Sequence, residues 1–170
     1  MVAMPTRIDW KAAIWAGVIA GIVFIMLEMA LVTFVQGMSP WGPHRMMAAM
    51  VMGEGVLPPP ETFDLMIVMV AMMVHLVLSI LLGVILGFVI SRLALNLAAS
   101  IAAGTLFGLA VYFVNFYGFT ALFPWFAMAR GPISIFAHAM FGLVLGWAYH
   151  AIALRDARNA EEAVAHGAQI

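Results

Sequence analysis

Four stretches of nearly unbroken apolar residues, separated by polar or Pro- and Gly-rich segments, organise the chain: 12–35, 65–90, 97–122 and 132–154. Each is long enough to cross a hydrocarbon core of about 30 Å, which takes roughly 20 helical residues. Backbone groups in lipid must be satisfied within their own segment, so each run is predicted to be a helix. Arg7 and Lys11 precede the first run as they would a secretory signal. A signal's apolar region spans only about 7 to 15 residues, however, so this run is expected to remain as a membrane helix.

The non-apolar positions inside the runs are patterned. Each run carries two glycines four residues apart: Gly17 and Gly21, Gly83 and Gly87, Gly104 and Gly108, Gly142 and Gly146. Such a pair strips side chains from one helix face and lets backbones approach, where lipid supplies no hydrophobic drive. Glu28 and Asn115 each follow a glycine by seven residues and return to its face at 100° per residue. His75, Ser79, Gly83 and Gly87 form an i, i+4 stripe, as do His138, Gly142, Gly146 and His150. At 1.5 Å per residue, Glu28, Asn115 and His138 fall about 10 Å below one boundary and His75 about 15 Å. These four polar side chains are expected to meet in one cluster, with the glycines packed in the other half of the bundle.

The segment 36–64 holds most of the punctuation. Ser39-Pro40-Trp41-Gly42-Pro43 reads as a turn and Pro58-Pro59-Pro60 as an extended approach to the second run. Pro43 and Gly53 frame a predicted short helix over 44–52, too short to span and expected to lie in the membrane interface. The tail 155–170 is Ala-rich and charged, fit for a helical extension in water.

Composition sharpens this picture. Of 170 residues, 66% are hydrophobic and 9% charged, against about 25% charged in a soluble domain. The net charge of −1 offers no basic face for phosphates, which excludes nucleic-acid binding. With no cysteine, thiolate metal sites and thiol nucleophiles are excluded as well. Arg7, Lys11, Arg92, Arg155 and Arg158 flank one side of the four helices, Arg45 and Arg130 the other. Because cytoplasmic loops hold the Lys and Arg excess, both termini are expected in the cytoplasm and 36–64 outside.

A carboxylate at Glu28's depth costs at least ~2.5 kcal/mol on insertion scales, so it calls for a partner, a proton or water. His75 or His138 is the expected partner, in a proton- or cation-responsive site; a purely register-fixing Glu-His-Asn network is the alternative. Fifteen methionines supply a second chemistry. Met46, Met47 and Met50 beside His44, and Met72 one turn from His75, offer soft thioethers and imidazoles to Cu(I), while a packing role is the alternative. His75 and His138, on different helices, also raise a bis-histidine haem b. HExxH, GxSxG, GxGxxG and P-loop motifs are absent from the sequence, and no enzyme is expected.

The halves echo each other. Gly17, Gly21 and Glu28 match Gly104, Gly108 and Asn115 in spacing, and Pro40-Trp41 matches Pro124-Trp125, as in a parallel hairpin repeat. Arg7-Ile8-Asp9-Trp10-Lys11-Ala12-Ala13, Ser39-Pro40-Trp41-Gly42-Pro43, Met46-Met47-Ala48-Ala49-Met50, Val114-Asn115-Phe116-Tyr117-Gly118 and Phe123-Pro124-Trp125 carry a resemblance. With these segments the chain resembles a group of small bacterial four-helix inner-membrane proteins without an assigned function, sometimes labelled sodium:proline symporters. That label implies a much longer chain with more helices and an unwound substrate-binding helix. The resemblance implies a bacterial integral membrane protein and no functional residues.

The expectation is therefore an all-α four-transmembrane-helix bundle in the bacterial inner membrane. Its glycine-packed half is expected to face the cytoplasm, with a short interfacial helix in the first outer loop. The leading function is a small transporter or channel protomer, or an accessory subunit, partnered by the bilayer and by further copies or a larger complex. Copper handling and haem-based electron transfer are the alternatives.

Overall fold

The computed structural model describes residues 4–167. Five α-helices carry the fold: α1 Trp10–Phe34, α2 Trp41–Met52, α3 Leu65–Arg92, α4 Leu97–Phe113 and α5 Pro132–Gly167. No strand occurs among the described residues. Helix starts follow side-chain caps. Asp9, Asp64 and Asn96 accept from the backbone N–H three residues on, at 2.9, 3.1 and 2.9 Å, satisfying donors the first turn leaves free.

Four helical stretches are long and apolar enough to cross a membrane, as in a multi-pass membrane protein: Trp10–Phe34, Leu65–Arg92, Leu97–Ala121 and Pro132–Gly167. The third is not one regular helix. Beyond Phe113 it widens into a π-helical turn, Val114–Gly118, and tightens into a 3-10 turn, Phe119–Ala121. Apolar periodicity carries no signal for such a change, and the regular helix expected to residue 122 ends early. Arg130 takes up the loosened backbone: its Nε–H donates to the Phe116 carbonyl at 2.7 Å, and its guanidinium lies 4.3 Å from the Tyr117 ring centre.

One further boundary differs from expectation. The short helix begins at Trp41 rather than residue 44, with Pro43 inside its first turn, where a missing N–H leaves no bond unmade. The fourth membrane-length helix runs unbroken to Gly167, and the helical extension expected of the tail is its continuation, because Ala, Arg and Glu are strong helix formers and no Pro or Gly interrupts 147–166. Residues 168–170 of the expected tail lie outside the described residues.

α5 packs along both α4 and α1, and α1 packs against α3, while α3 and α4 scarcely touch. The helices therefore form a curved row, α3–α1–α5–α4, whose two edge helices are joined by the short turn 93–96. Small residues set the close approaches. A Cβ added to Gly104 would overlap the Gly142 carbonyl, and one on Gly142 the Gly104 carbonyl. On the other side a Cβ on Gly17 would sit 2.6 Å from the Ser79 carbonyl oxygen, and one on Gly83 3.1 Å from Gly17 Cα. Ala12, Ala13, Ala16 and Ala20 of α1 bury fully in the shared core with Leu86, Ile90, Leu145 and Tyr149.

Tyr149 closes the end of the bundle that carries the turn. Its hydroxyl is 2.6 Å from Ser91 Oγ and accepts the Asp9 backbone N–H at 3.1 Å, tying α5, α3 and the start of α1 together. Gly87 leaves the room for its ring: a Cβ there would come within 2.6 Å of Cε2.

Candidate functional site

At the opposite end, α3 and α4 diverge and leave a cavity of about 550 Å³. Glu28, His75, Asn115 and His138, from α1, α3, the π-helical turn and α5, all line it. Its walls are apolar, with Leu78 and Leu82 from α3 and Phe107 and Val111 from α4. α2 covers it from above, packed on Ile67 and Ala71 of α3 through Ala48, and held by the Trp125 indole N–H donating to the Met46 carbonyl at 3.0 Å.

Each histidine has a defined role in the backbone. His75 Nε2–H donates to the Gly21 carbonyl at 2.9 Å, and His138 Nδ1–H to the Ser134 carbonyl at 2.8 Å. A carbonyl only accepts, so the bonded nitrogen carries the proton and the other presents a lone pair. On His138 that second nitrogen lies 3.5 Å from Asn115 Nδ2, which donates to it. Gly21 makes the His75 contact possible, since a Cβ there would fall 3.4 Å from Nε2 and 2.7 Å from Ser79 Oγ. One glycine thus serves both packing and site.

Glu28 stands apart. It is only 9% exposed, yet it lines the cavity and makes no hydrogen bond or ion pair among the described residues. The expected pairing with His75 or His138 is not formed. Phe24, one helical turn before Glu28, occupies the space between the two imidazoles. Its ring stacks on His75 at 5.5 Å and meets His138 edge-on at 4.9 Å. Nothing in an apolar run distinguishes Phe24 from its neighbours, so sequence reasoning did not find it.

The soft-metal candidates divide. Met46, Met47 and Met50 line the cavity with His75, whereas His44 and Met72 do not. His44 is buried in α2, and its Nδ1–H donates to the Pro40 carbonyl at 3.1 Å. Burial lowers its pKa below the ordinary 6.5, and that hydrogen bond partly offsets the shift. Among the described residues no three His, Asp or Glu side chains gather as a metal site. Glu61 and Arg130, neither foreseen as site residues, line the cavity as well. Comparison with family models, with curated proteins and with solved structures gives no match for this chain.

Proposed function

We propose that this chain is a non-enzymatic bacterial inner-membrane protein, a small transporter protomer or an accessory subunit, whose cavity is a proton- or cation-responsive site with Glu28 as the responding group. The observation that carries the reading is a carboxylate at membrane depth that lines an open cavity and makes no hydrogen bond or ion pair with the described residues. A packing residue would not keep that group, because an unpartnered charge there is costly on any scale. His75, His138, Asn115, Glu61 and Arg130 share its cavity, and His44 lies in the helix above.

On this reading the cavity opens to the outside, the glycine-packed half lies toward the cytoplasm, and α2 rests in the outer interface. The Lys and Arg count supports that orientation. A reporter that works only in the cytoplasm, fused after residue 170, should give signal; signal from a periplasm-dependent reporter instead would reverse it.

The direct test is infrared spectroscopy of the protein in lipid vesicles, titrated between about pH 5 and pH 9. A protonated-carboxyl band should change with pH in the parent and be missing in Glu28→Gln. Identical spectra for the two would refute the reading. Copper is the second reading, supported by Met46, Met47 and Met50 lining the same cavity as His75. Elemental analysis of purified protein should show copper if it holds.

A further inference from the structure

We propose that the cavity binds a lipophilic organic monocation, an ammonium or phosphonium centre on an aromatic or branched hydrocarbon body, which reaches Glu28 sideways between α3 and α4. The inference rests on Glu28 as the cation-responsive group and names the class of ligand it would take.

Charge sets the sign. Glu28 supplies a buried carboxylate with no cation beside it, while Arg130 is held at the Phe116 carbonyl and the Tyr117 ring. The remaining lining argues against an inorganic ion. A hard cation wants six or more oxygens at close range; Glu61, Gln36, Ser79 and Ser134 line this cavity with Glu28 and Asn115, but among the described residues no three His, Asp or Glu side chains gather as a metal site. An organic cation needs the reverse: one opposite charge, apolar walls and aromatic faces. Phe24, Phe116 and Phe126 supply those faces. A volume of about 550 Å³ suits a small-molecule guest.

The route follows from the row of helices. α3 and α4 scarcely touch, and both line the cavity. Leu81 and Ile85 on α3 and Val114 at the start of the π-helical turn line the cavity and are each more than half exposed, at 53%, 51% and 53%. Hydrocarbon would meet the cavity there, and a lipophilic ligand dissolved in the bilayer could pass without crossing water.

Tetraphenylphosphonium and tetraphenylborate have one shape and opposite charge, and binding of each to the purified full chain in detergent tests the proposal. The parent should bind the phosphonium at least about tenfold more tightly than the borate, a difference of about 1.4 kcal/mol. Glu28→Gln should remove that preference. Leu81→Trp, which keeps Glu28 and fills the opening, should weaken phosphonium binding by about tenfold as well. Equal binding of the two probes, or unchanged phosphonium binding in either folded variant, would overturn the proposal. So would a tightly held phospholipid that the phosphonium does not displace, or a dimer dissociated by Leu81→Trp, since either would be the true occupant of the gap. If the infrared titration of Glu28 succeeds while phosphonium binding fails, only the ligand class is wrong; if both fail, the site reading falls with it.

Discussion

The two ends of this bundle are built from the same four helices by opposite rules. At the end bearing the turn 93–96, glycines and alanines bring backbones into contact, and Tyr149, Ser91 and Asp9 close the remaining space with hydrogen bonds. At the other end large side chains line an opening, the third membrane-length helix loosens into a π-helical turn, and a carboxylate stands without a partner among the described residues. The first end has the density that fixes a structure. The second keeps a polar group and a void that stability alone would remove, and that contrast makes it the place to look for function.

Breaking the packed end should have the largest effect. Replacing Gly104 and Gly108 together with Leu places side chains where the Gly142 and His138 carbonyls lie. Neither helix can give way without moving its backbone, so the loss should reach about 3 kcal/mol or more. A parent-like melting temperature and a parent-like size-exclusion profile in detergent would contradict the account of this interface.

Tyr149→Phe is milder. It keeps the ring against Gly87 but removes the hydroxyl shared by Ser91 and the Asp9 N–H, and should cost about 1 to 2 kcal/mol in thermal or denaturant unfolding.

At the open end the responses should be smaller in stability and larger in ligand behaviour. His44, whose pKa burial lowers below 6.5, binds more protons when α2 is undocked or unfolded than when it is packed. Its contribution is therefore present at neutral pH and declines as pH falls through 6.5 toward the lower folded value. The melting temperature of the parent should drop more steeply on acidification than that of His44→Gln; equal slopes would show that burial of this imidazole has no energetic consequence.

Glu28→Gln should have the least effect on stability, within about 1 kcal/mol in either direction, because no bond is lost. A fall of about 3 to 5 kcal/mol, the size expected when a buried ion pair is broken, would reveal a partner and return the site to a structural network.

The sequence is informative about this contrast along each helix and poor between helices. A 3.6-residue period places Glu28 on the face of Gly21 and His75 on the face of Gly83, and four apolar runs suffice to foresee four membrane-length helices. Periodicity gives each helix a face but not its rotation against a neighbour at ångström scale. Whether Glu28 reaches an imidazole was decided by Phe24, an ordinary apolar residue in the run, and by the Gly21 carbonyl that captures His75. The widened turn at Asn115 was hidden for a related reason. Its support, Arg130, lies across a loop and reads in sequence as a topology marker rather than a backbone partner.

Modification by dicyclohexylcarbodiimide in native membranes tests the central claim most directly. This apolar reagent takes up the proton of a carboxyl reachable from the lipid phase and leaves a stable adduct, whereas carboxylates in water are attacked far less. Mass spectrometry after digestion should find the adduct on the peptide containing Glu28, and none on that peptide in Glu28→Gln. An unmodified Glu28 peptide, with adducts only on Glu54, Glu61 or Asp64, would mean that the carboxylate does not face an open cavity in the membrane.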